Sequence, residues 1–150
     1  MSPLDDLKFH HTLPIQLRFN DVDKFGHVNN TVYFTYYDLG KTEYFSTVYP
    51  SLDLNKYGIV VVHIDADFIT QILGTDPVAV ETAVVEIGNK SMKMVQRVVN
   101  TQTNEVKCYC KSIMVAFDLE THDSMEIPED WKEAISAFER RDVKKKREEC

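Results

Sequence analysis

Residues 18–33 read Arg-Phe-Asn-Asp-Val-Asp-Lys-Phe-Gly-His-Val-Asn-Asn-Thr-Val-Tyr, the stretch of the chain that offers most to chemistry. Two carboxylates, Asp21 and Asp23, share a segment that mixes acids with Gly26, the composition of a turn. Asn29 and Asn30 follow as good N-caps for a helix. The first amides of a helix have no intrahelical acceptor. Together with the helix dipole they suit a carbonyl oxygen that becomes negative under attack. A carboxylate facing that oxygen can act as nucleophile or as general base on water, which is the minimum equipment for acyl transfer. The same residue types also serve as plain turn formers and caps, and His27 as a polar loop histidine.

Such groups need elements to hold them. Residues 12–21 alternate as a half-buried strand with Leu13, Ile15, Leu17 and Phe19 on one side, and Pro14 sets it near an edge. Asp21 continues that inward face beside Phe19, so a structural cap is its expected job. Beyond Asn30, the residues Tyr33, Tyr37, Gly40, Tyr44 and Val48 recur at helical steps, while Val32, Tyr36 and Leu39 widen the apolar face. That pattern predicts a helix enclosed on most sides and closed by Pro50. Gly40 should cost about 1 kcal/mol in mid-helix, which a close approach to a strand would explain.

Four strands are then expected, at 59–69, 78–87, 91–99 and 106–118, with no helix between them. The second and third are joined by the short connection Gly88, Asn89, Lys90, and turns this short imply antiparallel pairing. In the first of the four, Val60, Val62, Ile64, Ala66 and Phe68 share one face, with Val61, His63, Asp65 and Asp67 opposite. Pro128, Glu129 and Asp130 open a short C-terminal helix. The expected organisation is an arm at 1–11, one α+β domain at 12–139, and a charged tail at 140–150 that frays. A single helix covers one sheet face only, so a homodimer or larger symmetric assembly is expected.

Composition narrows the classes. Of 150 residues 43% are hydrophobic and 27% charged, the values of a globular chain. A formal charge of −7 argues against a nucleic-acid binder. The apolar runs are far short of the ~20 residues that cross a bilayer, and residues 1–11 lack the pattern of a signal peptide. The expectation is a cytoplasmic protein that binds neither nucleic acid nor membrane. Cys108 and Cys110 sit two apart on one strand face and read, with Cys150, as reduced thiols. His63, Asp65 and Asp67 read as solvent or interface polars on an alternating strand, so no metal site is expected.

The run Asp-x-Asp-x-x-Gly-His-Val-Asn-Asn-x-x-Tyr, followed by Thr42-Glu43, resembles the 4-hydroxybenzoyl-CoA thioesterase family of hotdog proteins and its broader acyl-CoA thioesterase relatives. The likeness continues through Gly88-Asn-Lys-Ser91, Val115-Ala-Phe-Asp118 and Ile127-Pro-Glu129, and so covers about residues 12–135. It implies a hotdog fold, an antiparallel sheet of about five strands wrapped around a long central helix. It also implies a dimer with active sites at the subunit interface, in some cases a tetramer. Asp23 would be the catalytic carboxylate, and the backbone amide of Asn30 would polarise the thioester carbonyl. Some relatives carry His or Tyr where this chain has Asn30, which removes a side-chain role there. Gly26, His27, Val28 and Asn29 would line the substrate, with Tyr33 reaching the acyl pocket. Asn89, Lys90 and Ser91 resemble the region that touches the pantetheine and phosphates of CoA, though an ordinary hairpin with a solvated lysine explains them as well. No cofactor is implied beyond the coenzyme A of the substrate itself.

Three functions fit. The leading one is hydrolysis of acyl-CoA thioesters. A second is hydrolysis of acyl groups on an acyl carrier protein, against which the acidic charge counts mildly. The third is a non-catalytic acyl-CoA binding module, disfavoured by Asp23 beside an intact 26–30 turn.

Overall fold

The computed structural model describes residues 7–145. Five main strands form one antiparallel sheet in the order β1-β3-β4-β5-β2, where β1 is His11–Ile15, β2 Tyr57–Phe68, β3 Val78–Ile87, β4 Ser91–Asn100 and β5 Val106–Asp118. A two-residue strand, β6 (Asp123–Ser124), pairs with the end of β5. The helix α1 (Asn30–Val48) packs on one face, and α2 (Glu129–Glu139) closes one end of that layer.

The close approach expected at Gly40 is present. A Cβ there would stand 2.8 Å from Val80 Cγ1 and 3.0 Å from Gln96 Nε2. Gln96, itself buried, fixes the crossing by donating to the Tyr37 carbonyl at 2.8 Å and to Thr82 Oγ1 at 3.1 Å. Core packs on either side of this waist: Tyr33, Tyr36 and Tyr37 with Val28 and Ile72 towards the helix start, and Tyr44 and Phe45 with Trp131 and Ile135 towards its end.

Several expectations need correction. The first strand stops at Ile15, and Phe19–Asp21 form a 3-10 turn in which Phe19 is 95% exposed rather than inward. The cause is local: the Asp21 carboxylate reaches back to the Arg18 amide at 3.0 Å, a side-chain bond that competes with extended pairing. In β2 the register slips between Val61 and His63, so Val62 is an extra residue. Val61 and Ile64 therefore sit opposite the buried Met114 and Ser112, while Val60 and His63 share the other face. The helix is enclosed on one side only, since Phe34 and Leu39 are exposed in the single chain.

The arm and tail also differ. His11 is buried and starts β1, and residues 1–6 of the expected arm lie outside the described residues. Because β1 begins opposite Thr82, the edge of β3 beyond that point needs other partners. Residues 139–145 supply them. Glu139 Oε2 accepts the Val84 amide at 3.2 Å, Arg141 Nη2 donates to the Val84 carbonyl at 3.1 Å, and Ile87 exchanges backbone bonds with Val143 and Lys145. Val143 is buried, so 140–145 is packed; 146–150, including Cys150, lie outside the described residues. Cys108 and Cys110 are buried free thiols that burial pushes up, to about 11 and about 12. Among the described residues no helix is long and apolar enough to cross a membrane.

Candidate functional site

The link between β1 and α1 folds back on itself. Asn29 N donates to the Asp21 carbonyl at 3.1 Å, Val22 bridges Val28, and Asp23 N donates to the His27 carbonyl at 2.9 Å. This is a short antiparallel hairpin with Lys24, Phe25 and Gly26 at its tip. Gly26 sits at φ +82°, in the left-handed region that favours glycine. Asp23 Oδ1 accepts the amides of Phe25 at 2.9 Å and His27 at 3.2 Å, so one carboxylate oxygen holds the tip together. The other, Oδ2, has no partner among the described residues, and Asp23 lines an open depression of about 510 Å³ with Leu17, Phe19, Val22 and Gly74.

The helix begins where the hairpin ends. Asn29 caps it, its Oδ1 accepting from Thr31 N at 3.0 Å and Thr31 Oγ1 at 2.8 Å. Asn30 is the first helical residue, and among the described residues its amide has no acceptor. The pair Asp23–His27 lies two residues along the hairpin from Asp21–Asn29, about 7 Å. The Asn30 amide comes one residue after the Asp21–Asn29 pair. An attacking oxygen stands ~3–3.5 Å from the carbonyl carbon, and a donor ~3 Å from its oxygen.

The hairpin is anchored from two sides. His27 bridges Leu73, Val28 N donates to the Ile72 carbonyl at 2.8 Å, and Gly74 N donates to the Gly26 carbonyl at 3.0 Å. At its base the Arg18 guanidinium donates to Asp21 Oδ1 at 3.1 and 2.9 Å, and the Tyr36 hydroxyl to Oδ2 at 2.8 Å. Burial works to raise the Asp21 carboxyl, but the Arg18 and Tyr36 bonds outweigh it and hold the group below the usual carboxylate range. Burial first, and then the Asp21 bond, push the Tyr36 hydroxyl well above its usual range. Asp21 is thus an occupied structural carboxylate and Asp23 a half-free one.

Gly26, His27, Asn29 and Asn30 come together in this hairpin and helix start. Val28 and Tyr33 are adjoining but closed into the core, at 3% and 1% exposure, and the Tyr33 hydroxyl accepts the Ile72 amide at 3.2 Å. Phe34 and Phe68 present the partly exposed rings beside them, with Phe68 edge-on to Tyr33 at 5.1 Å. Phe34 adjoins the helical repeat of Tyr33 and Tyr37 and is 39% exposed. Its exposure depends on which side the sheet covers, which the aromatic spacing alone does not tell.

Asn89, Lys90 and Ser91 do not join this group within one chain. They form the β3–β4 turn, and the ten residues of β3 separate that end from the Gly74 end by about 34 Å. His63 Nε2 and Asp65 Oδ2 are 3.6 Å apart and exposed, and among the described residues no cluster of three or more His, Cys, Asp or Glu is placed to hold a metal.

Residues 17–135 match the family model described as the thioesterase-like superfamily, most of the chain. The chain belongs to the thioesterase-like superfamily. It is a thioester hydrolase with the hotdog fold that the Asp-to-Tyr run implied. It is similar to a thioesterase from Thermus thermophilus, in complex with coenzyme A and zinc, at 30% identity and TM-score 0.77, over 89% of this chain and 96% of that one. A predicted thioesterase from Bacillus stearothermophilus is 25% identical with TM-score 0.75, over 85% and 95% of the two chains. The PA5185 protein of Pseudomonas aeruginosa, at 21% identity, shares the fold with TM-score 0.79, over 91% and 95%. A comparison with curated proteins finds no match.

Proposed function

We propose that this thioesterase hydrolyses acyl-CoA thioesters, with Asp23 as general base or nucleophile and the Asn30 amide as the oxyanion donor. One relationship carries the reading: a carboxylate with one oxygen tied by two amides and the other without a partner among the described residues sits in the hairpin that leads, three residues after its partner His27, into the unpaired Asn30 amide. In the general-base route Asp23 takes a proton from water, the C–O bond forms, the C–S bond breaks, and the thiolate leaves to be protonated. The open first turn of α1 stabilises the charge on the carbonyl oxygen. The coenzyme A in the Thermus thermophilus thioesterase supports CoA as the thiol. The Asp21-to-Tyr33 run supports the narrower kinship with 4-hydroxybenzoyl-CoA thioesterases, and the Phe34 and Phe68 rings suit an apolar or aromatic acyl group.

Two copies complete the site in this reading. Among the described residues β2 pairs only with β5, and its other edge carries the exposed Val60, Val62, Ile64 and Phe68, a long apolar edge of the kind that pairs with another chain. Antiparallel pairing of two β2 edges about a two-fold axis sets Tyr57 of one copy towards Phe68 of the other. Tyr57 lies at the Asn89–Ser91 end of the sheet and Phe68 at the Asp23 end, so the hairpin of one copy comes to the Asp23 side of its neighbour. The enzyme is then cytoplasmic and needs no cofactor beyond the coenzyme A of its own substrate.

The test is a screen of short, long and aromatic acyl-CoAs, following release of the free thiol, with acyl carrier protein thioesters alongside. Turnover of one acyl-CoA class above its carrier-protein counterpart is expected. Failure with every CoA ester, or a clear preference for carrier-protein esters, contradicts the proposal.

A further inference from the structure

Lys107 is a buried cation, 6% exposed, at a place where the β4–β5 register slips between Val98 and Val99 and leaves it as an extra residue on β5. A bulge re-aims the side chain it carries. Here the ammonium reaches the link between β2 and β3, residues 69–77. Nζ lies 2.6 Å from Glu105 Oε1 and 3.5 Å from Asp76 Oδ2, and it donates to the Gln71 carbonyl at 3.3 Å. The Lys107 carbonyl accepts the amides of Ile69 at 2.9 Å and Thr70 at 3.1 Å. One residue thus holds both the start of the link and, through Asp76, its far side.

That link is what braces the Asp23 hairpin. The Ile72 carbonyl receives the Val28 amide, the Gly74 amide donates to the Gly26 carbonyl, and Leu73 bridges His27 between them. A Cβ on Gly74 would stand 3.2 Å from Val22 Cγ2, so the link presses on the hairpin closely. Asp76 Oδ2, which faces the ammonium, also accepts the Leu73 amide at 2.8 Å. A continuous run therefore leads from Lys107 to Asp76, to Leu73, to its bridge partner His27, whose amide donates to Asp23 Oδ1 at 3.2 Å.

Core packing does not account for this lysine, because a well-packed apolar side chain in place of a buried ion pair is often as stable or more so. Burial works to lower Lys107, but Glu105 and Asp76 outweigh it and raise the group above its ordinary range, so the charge is kept at neutral pH. We infer that Lys107 is a positioning residue for hydrolysis: it pins the link between β2 and β3, the link braces the hairpin, and the hairpin sets Asp23 relative to the Asn30 amide. The reaction is taken from the thioesterase reading above, on which this role rests, whereas the brace stands on the bonds alone.

Lys107→Met keeps an apolar stem and removes the ammonium. Amide hydrogen exchange and acyl-CoA turnover are measured on the wild type, on Lys107→Met and, as a control on the same strand, on the exposed Lys111→Met. In Lys107→Met the Val28 and Gly74 amides exchange about tenfold faster, and kcat falls by about 10- to 10²-fold while KM stays within about twofold, as expected when a reacting group is slightly misplaced. Lys111→Met matches the wild type in both. Placed on Asp23→Asn, Lys107→Met lowers kcat no further, because it acts through Asp23. Asp76→Asn is the second variant, for the case that Lys107→Met does not fold: it keeps an oxygen for the Leu73 amide, removes the charge facing Lys107 and gives the same pattern. Wild-type exchange or wild-type kcat in a folded variant, or a kcat loss that recurs in full on Asp23→Asn, overturns the role of Lys107. If the wild type hydrolyses no ester, faster exchange at Val28 and Gly74 upholds Lys107 as the brace of the hairpin, and the reading of the reaction fails by itself.

Discussion

The Tyr36 hydroxyl donates to Asp21 Oδ2 at 2.8 Å, and both side chains are almost wholly buried. Through this bond the second turn of α1 holds the base of the hairpin, because the Asp21 carbonyl also receives the Asn29 amide that precedes the helix. Tyr36→Phe removes the donor and leaves a buried charged oxygen short of one bond. A stability loss of about 1.5–3 kcal/mol is expected in urea unfolding. Since the spacing between Asp23 and the Asn30 amide depends on this base, kcat should fall by more than KM changes.

Two buried carboxyls give stability opposite dependences on pH. Asp21 is held below its ordinary value, so its contribution is complete above the unfolded carboxylate range and is lost as pH falls through the lower folded value. Burial pushes Glu139 up, against the bonds it accepts from the Tyr44 hydroxyl and the Val84 amide. Its contribution is complete below the unfolded range and is lost as pH rises through the folded value. Thermal melts across the acid range should show Asp21→Asn flattening the low-pH loss and Glu139→Gln flattening the decline on the higher side. Unchanged slopes in both variants would show that these groups do not set the profile.

Gly40→Ala brings a methyl to within 2.8 Å of Val80 Cγ1 at the tightest point between helix and sheet. Helix propensity favours alanine by about 1 kcal/mol, but overpacking costs typically about 1–3 kcal/mol. Thr82 and Gln96 crowd the same spot, so the helix has little room to retreat and a net loss of stability is expected in chemical denaturation.

Ile64 lies on the open edge strand and is 40% exposed in the single chain. If two copies pair there, the protein sediments at twice its 17.4 kDa, and Ile64→Lys shifts it towards the monomer with loss of turnover. A monomeric wild type with full activity would place the whole site within one chain.

Much of this was readable from residue types, and the exceptions share a cause. Strand alternation, the Gly88 connection and the N-caps marked β2 to β5 and the start of α1 because each is a local pattern. The slip at Val62 carries no glycine or proline to signal it. The packed tail follows from where β1 happens to begin, and the separation of Asp23 from Lys90 follows from strand order; both are global properties. In the site, a turn carboxylate and an open helix amide were legible, whereas the bond joining Tyr36 to Asp21 spans 15 residues and was not.

The role of Asp23 is open to a clean substitution. Asparagine keeps an Oδ1 acceptor for the amides of Phe25 and His27, so Asp23→Asn preserves the hairpin while removing the charge. Its acyl-CoA turnover, measured beside its melting curve, should show kcat lower by about 10² to 10⁴ with stability unchanged. Wild-type kcat in a folded Asp23→Asn protein would contradict a catalytic carboxylate at this position.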